Sequence, residues 1–567
     1  MKNRIRAARR GAIALALWAA TSAALVADTY PRQDGVDVEE YVFRLELGDE
    51  SNALEGLTTI AVRFTRDGVV ELGLDLVGPS EGADAGMRVA GVWWADGRQG
   101  ETLRAARLAP EQRGTAVDFT HAAERLSVRL PEPSSAGGLA FVTVAYSGIP
   151  ATGLEIGPTK HGERSFFSEN WPNRARHWLP TVDHPYDKAR SQMVVTAPDH
   201  YQVISNGLLV EQTDLSGGRR LTHWRQSVPI ATWLNVLGVA RFAIQHLPAF
   251  EGVPVSTWVY PQDREAGFHD FAYPTHDVLA YYHDQIGPYA YEKLAQVQCN
   301  SVGGGMESAT AIFYDDDAVT GRRDVRWRNV IIHEIAHHWW GNCVTESDWD
   351  DVWLSEGFAT YFTLLYREHA YGRDDFVSGL RQARQRVLGF YANRPDYRVV
   401  HDRLDDMRQV TTGMQYQKGA WVLHMLRGQL GTETFWRGIR AYYARYYNGN
   451  ASTADLRREM EEVSGQELGW FFDQWLRQGG VPRVVGEWAH AEGVLRLALR
   501  QEQADHQFRL PLELELVFAD GSRRRERLEL IEREAEFELD CPDAPVELVL
   551  DPDTWMLLSS ELSPEDA

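Results

Sequence analysis

The sequence predicts a multidomain α+β chain, in the order antiparallel β domain, mostly helical domain, small β sandwich. Three observations predict it. The chain has 567 residues, too many for one core at about 150 residues per domain. Hydrophobicity alternates with period two to about residue 245, and a helical period then runs to about residue 478. Beyond that point the alternation of strands returns.

Before the first strand, Lys2, Arg4, Arg6, Arg9 and Arg10 precede GAIALALWAATSAALVA, which carries no charge before Asp28. That basic-then-apolar layout reads as a secretory signal over residues 1–27. Its shortness and alanine content argue against an uncleaved membrane anchor, and no later segment is long and apolar enough to span a bilayer. Export to the periplasm or the extracellular space is therefore expected.

Residues 28–245 hold EYVFRLEL, LTTIAVRF, VVELGLDL, LAFVTVAYSG and YQVISNGLLVEQ, separated by Gly, Asp and Pro turns, and read as an antiparallel β domain. Residues 246–478 hold FAYPTHDVLAYYHDQIG, VRWRNVIIHEIAHHWW, VWLSEGFATYFTLLYREH and AWVLHMLRGQL, and read as mostly helical. In STADLRREMEE, Ser452 or Thr453 is a helix cap with Asp455 in the first turn. Gly479, Gly480 and Pro482 mark the last boundary. Residues 479–567 return to strands, with Asp520-Gly521 a hairpin turn.

Composition narrows the function classes. Hydrophobic residues at 44% and charged residues at 25% are those of a globular chain. A formal charge of −23 without a basic stripe argues against nucleic acid and anionic membranes as partners. Cys299, Cys343 and Cys541 read as buried small hydrophobes, with a Cys299 to Cys343 bridge as the alternative. The 19 Trp and 22 Tyr are spread over all domains, which favours core packing over a carbohydrate surface. Nothing in the sequence signals an oligomeric state.

The chemistry concentrates in HEIAHHWWGN, residues 333–342. On a helix, His333 and His337 face the same way about one turn apart, which suits two imidazoles on one metal ion. Asp324 is a plausible cap before that helix, and Gly341-Asn342 a plausible stop. His338, rotated by about 100° from His337, points elsewhere and reads as a residue that packs or supports the ligands from behind. A catalytic zinc takes three protein ligands, so a third is needed. A metzincin would place Gly at position 340 and His at 343, where this chain has Trp340 and Cys343. The acids downstream are Glu346, Asp348, Asp350, Asp351 and Glu356. Only Glu356 falls inside a new amphipathic helix, among Trp353, Leu354, Phe358 and Tyr361, where an unpaired carboxylate is costly and calls for a cation. Glu334, next to the first histidine, is placed as general base for water that the metal activates.

H-E-x-x-H, 18 intervening residues and a Glu within WLSEGFATYF together resemble the gluzincin aminopeptidases of family M1, the aminopeptidase N family. GGGMESATAIFY, residues 303–314, resembles that family's G-x-M-E-N strand, and YQKGAWVL, residues 416–423, its tyrosine segment. The resemblance implies a saddle-like N-terminal β domain, a thermolysin-like zinc catalytic domain and a C-terminal β sandwich; no long helical region follows the sandwich, so the larger fourth domain of some relatives is not expected. It implies one zinc on His333, His337 and Glu356, with Glu334 and Tyr416 catalytic, Tyr416 at the oxyanion. It further implies that Glu307 binds the free α-amine of a peptide, while the backbone around Gly304, Gly305 and Met306 pairs with it. The implied activity is removal of N-terminal residues from peptides.

Departures qualify that implication. Ser308 and Ser355 stand where the family often has Asn. In SENWPNRARHWLPTVDHP, Trp171 falls where many members carry a second amine-binding Gln or Glu, and Glu169 is out of register. Amine anchoring then rests on Glu307 alone, which keeps a dipeptidyl or endopeptidase open as an alternative. A non-catalytic binding protein on a zinc scaffold is disfavoured, because a scaffold has no use for Glu334.

Overall fold

The computed structural model describes residues 28–565 except Glu81, Ala83, Asp402, Arg403, Asp405 and Asp505. The segment read as a signal, residues 1–27, lies outside the described residues. Among the described residues, an eight-stranded sheet, a four-stranded sheet and a three-stranded sheet build the N-terminal region. Leu54, Ile60, Val62 and Phe64 of Leu54–Phe64, with Ala140, Val142, Val144 and Tyr146 of Leu139–Ile149, lie at alternate positions and face its core. The pairing is antiparallel with one exception. Val36–Glu46 lies antiparallel to Leu54–Phe64 on one side and parallel to Ala189–Pro198 on the other.

Next comes a mixed five-stranded sheet. Its strands are Ala243–Phe250 (β1), Val253–Val259 (β2), Leu294–Cys299 (β3), Gly305–Met306 (β4) and Ala311–Asp315 (β5), in the order β1-β2-β3-β5-β4. This sheet is a difference from the sequence reading, which describes residues 246–478 as mostly helical. The reason is double burial. Ala311 and Phe313 of β5 join the N-terminal core, while Ile312 and Tyr314 join the helical core. A strand buried on both faces loses its polar alternation and reads as a short apolar run.

The helices that carry the chemistry follow: Val325–His337 (α1), Trp353–Tyr371 (α2), Arg373–Tyr391 (α3) and Gly413–Leu430 (α4). Asp324 caps α1 by accepting from the Arg326 amide, and Thr412 caps α4 in a reciprocal box with Gln415. Ser452, with Asp455, caps the helix Thr453–Ser464 in the same way. α2 and α4 cross where both have glycine. A Cβ on Gly357 would stand 2.9 Å from the Gly419 Cα and 3.0 Å from the Gln415 carbonyl oxygen. That close approach brings Tyr416, one turn before Gly419, beside Glu356.

The C-terminal region packs a four-stranded sheet on a three-stranded one, with Leu495, Leu497 and Leu499 facing Leu512, Leu514 and Leu516 in one core. Asp520-Gly521 turns the hairpin between Leu510–Phe518 and Arg523–Leu530, Gly521 at φ +82°. All three cysteines are buried and free, so no bridge joins Cys299 to Cys343.

A buried lysine fastens the catalytic helices to this sandwich. Lys418 on α4 is fully buried and donates to the Tyr391 hydroxyl (3.0 Å), the Gly480 carbonyl (3.2 Å) and the Gln478 carbonyl (3.4 Å). Burial pulls its pKa down to about 7. Lys418→Met is expected to lower stability by about 2–4 kcal/mol, because it deletes three hydrogen bonds made from a buried position. Urea unfolding followed by tryptophan fluorescence measures it; an unchanged midpoint would show that the tether contributes nothing.

Candidate zinc centre and active site

α1 ends at His337, and the chain turns at Gly341, whose φ is +95°. A Cβ there would stand 2.1 Å from the Ser355 Oγ, so glycine lets the start of α2 close on the end of α1. Glu356 thereby comes to face both histidines. Its Oε2 is 3.3 Å from the Nε2 atoms of His333 and His337, which are 3.1 Å from each other. Four tetrahedral ligands at about 2.0–2.1 Å from zinc stand roughly 3.3 Å apart, so these three edges match a zinc site.

The surroundings agree with a cation there. Glu356 Oε2 is buried and has no hydrogen-bond partner, a costly state for a carboxylate oxygen unless a cation meets it. His337 Nδ1 lies 3.1 Å from the Trp340 carbonyl oxygen and 3.1 Å from Ser355 Oγ. A proton on Nδ1 satisfies the carbonyl and leaves the Nε2 lone pair for the metal. Ser355 thus touches the ring of a candidate metal ligand.

A second cluster, Glu307, Glu334 and His337, also has donor atoms within 4.8 Å of one another. It engages His337 through the Nδ1 side, 3.8 Å from Glu307 Oε1, where the Trp340 carbonyl already sits. The His333, His337, Glu356 set is therefore the candidate metal site. Of the other acids weighed from sequence, Glu346 is buried in a two-residue strand, and Asp348, Asp350 and Asp351 form the turn before α2.

The electrostatics of this pocket are unbalanced without cations. Burial drives the Glu334 pKa well above the usual carboxylate range, reinforced by Glu307 and Glu356. Glu307 is raised by burial as well. His337 is held at about 10 despite burial, because Glu307 and Glu356 flank it. Glu356 falls to about 2 against its own burial, beside His337 and His333.

The other residues singled out in the sequence surround this centre. β4 is the edge strand of its sheet, so the outer backbone groups of Gly305 and Met306 face the cleft unpaired by a strand. A Cβ on Gly305 would stand 2.3 Å from Glu334 Oε1, so glycine is what lets Glu334 lie over this strand. Gly304, at φ +147°, accepts from the Asp315 amide through its carbonyl. Glu307 is buried; its carbonyl accepts from Asn342 Nδ2 (2.7 Å), and its Oε1 has no partner. The Tyr416 hydroxyl donates to Glu356 Oε1 at 2.6 Å.

Two contacts position the loop that carries Glu307, and of these only that of Asn342 was not evident from sequence. Asn342 holds the Glu307 backbone, and His338, read as packing or supporting, accepts from the Thr310 amide at 3.1 Å. Burial takes His338 down to about 3, so it is neutral and its Nε2 is free to accept. Thr310, at φ +68°, closes the loop that carries Glu307. The short distance in sequence from the H-E-x-x-H core was the available signal for both.

Trp171 offers no carboxylate substitute. Its ring packs against Trp233 and Trp349 at 4.7 and 5.5 Å, and its Nε1 donates to Thr411 Oγ1. Glu169 is taken up by an ion pair with Arg174 and by the Trp171 amide.

Two histidines from one helix, a glutamate from the next and an uncoordinated glutamate between the histidines define a gluzincin metallopeptidase site. The Peptidase M1 N-terminal domain model matches residues 107–234 and the Peptidase family M1 domain model residues 273–475. The chain belongs to peptidase family M1, and its metal is zinc. It is 28% identical over 372 residues to a glutamyl aminopeptidase of Homo sapiens, covering 62% of this chain and 38% of that protein. It is 28% identical over 333 residues to aminopeptidase M1 of Arabidopsis thaliana, covering 55% of this chain and 37% of that protein. The chain thus spans less than two-fifths of the length of these curated relatives. A solved structure, the M1 zinc metallopeptidase from Deinococcus radiodurans, superimposes with a TM-score of 0.64 at 24% identity, covering 78% of this chain and 94% of that chain.

Proposed function

We propose that this chain is an exported zinc aminopeptidase that removes N-terminal residues from peptides. The observation that carries the reading is Glu307, a buried carboxylate with an unpaired oxygen beside the metal ligands and next to an open edge strand. A buried acid in that place is satisfied by a substrate ammonium and rejects a neutral peptide interior. The names of the curated relatives, aminopeptidases of animals and a plant, support the same activity.

When bound, zinc supplies Lewis-acid polarisation of the scissile carbonyl and lowers the pKa of attacking water. Glu307 holds the α-amine and so sets which bond lies at the centre. β4 pairs with the substrate backbone in extended form and fixes its height in the cleft. Glu334 takes the proton from water and returns it to the leaving amine. The Tyr416 hydroxyl donates to the carbonyl oxygen as negative charge develops there.

The test begins with the mature chain purified from the exported fraction of cells making the full-length protein. It is loaded with zinc and given peptide amides with free or acetylated N-termini. Stepwise cleavage of the free amines alone is expected, and recovery only from the cytosol would sink export. Trp171 in place of a second anchor favours one further reading, a dipeptidyl or endo-acting peptidase. Release of dipeptides, or equal cleavage of acetylated peptides, would establish it. A folded, zinc-loaded sample that cleaves nothing would favour a binding protein.

A further inference from the structure

The cleft, about 570 Å³, continues past the metal ligands along one face of three helices. Arg326 of α1, Arg367 of α2 and Arg386 of α3 line this arm. Helical spacing aligns them: Arg326 precedes His333 by seven residues, two turns, and Arg367 follows Glu356 by eleven, three turns. Arg386 follows Gly379, another lining residue, by seven.

These arginines have charge to spare. Arg326 stacks over Trp327, and neither it nor Arg386 has a carboxylate partner among the described residues. Arg367 gives its Nε to Asp375 at 2.7 Å. The lining carboxylates are Glu307, Glu334 and Glu356, all at the metal end. In a chain of net charge −23, a cationic arm joined to an acidic centre is a local reversal of sign.

The geometry also gives the arm a direction. Glu307 stands by His337, at the C-terminal end of α1. Arg326 lies towards the other end, about 10 Å beyond His333 at 1.5 Å per residue. A peptide with its amine at Glu307 therefore runs past the metal towards the arginines. At about 3.3 Å per extended residue, they stand two to four residues beyond the scissile bond.

We propose that this arm is a carboxylate-binding subsite that selects peptides carrying a negative charge two to four residues after the cleaved bond. The direction rests on the aminopeptidase reading; the charge selection does not. The carboxylate has two sources, an acidic side chain or the C-terminus of a tri- to pentapeptide, and the planar fork of arginine suits both.

Two substrate pairs separate the sources: hexapeptide amides with Glu or Gln in fourth place, and a tetrapeptide as free acid or amide. The charged member of at least one pair is expected to be favoured roughly five- to tenfold in KM, and less so as salt is raised. Which pair responds identifies the source. In Arg326→Gln/Arg386→Gln the ratio falls to about one, and in Arg326→Glu/Arg386→Glu a Lys peptide outcompetes its Gln counterpart. Ratios within one protein cancel any loss of folded enzyme. Equal KM for both pairs in the wild type, or a ratio that survives the double variant, overturns the proposal. The same pairs titrated calorimetrically into Glu334→Gln protein give affinity ratios without turnover. An inactive wild type would then defeat the aminopeptidase reading, while those affinity ratios would still decide the subsite.

Discussion

Glu334→Gln is expected to lower kcat by about 10²–10⁴-fold while leaving one zinc per chain and an intact fold. Gln has the same shape, so it fills the space over Gly305 that Glu334 fills now. It cannot accept a proton from water. Stability should hold or rise, because burial and the neighbouring Glu307 and Glu356 already oppose a charge at this position. Zinc content by atomic absorption decides between the two carboxylate clusters around His337. Zinc lost together with activity would make Glu334 a ligand and move the metal to the Glu307, Glu334, His337 set.

The candidate zinc ligands were legible because their signals are local and physical. An i, i+4 pair needs only a helix, and a lone Glu inside an apolar helix needs a cation; both are visible without tertiary structure. Tyr416, Glu307 and the edge strand were legible only through resemblance, since nothing in their local sequence says that Gly357 and Gly419 let two helices touch or that β4 is an edge. The strands β2, β3 and β5 were hidden by double burial. Trp171 was singled out in the sequence as the departure, but its partners Trp233, Trp349 and Thr411 come from distant parts of the chain. The arginine arm illustrates the remaining gap. Arg326 sits two turns before His333 and was recoverable from α1 alone, whereas Arg367 and Arg386 needed the packing of α2 and α3 to reach the same cleft.

Tyr416→Phe separates chemistry from support of the metal. The hydroxyl donates to Glu356 Oε1, the carboxylate of a candidate ligand, so it could act simply by orienting that ligand. In that case its loss would weaken zinc binding by roughly 10–100-fold, and saturating zinc would restore activity. Donation to the developing oxyanion has another signature. kcat then falls by about 10²–10³-fold, KM stays near its wild-type value, and excess zinc restores nothing. The second outcome is expected, for two reasons drawn from the site. Glu356 is already fixed by burial and by the two imidazoles beside its Oε2. Tyr416 also lines the cleft itself, with its ring 5.9 Å from that of His333, so its hydroxyl is within the space a bound carbonyl would enter. Competition titrations with a chromophoric chelator give the zinc affinity, and steady-state kinetics at saturating zinc give the rest. Recovery of wild-type kcat on adding zinc would remove Tyr416 from the chemical step and leave Glu334 as its only catalytic side chain.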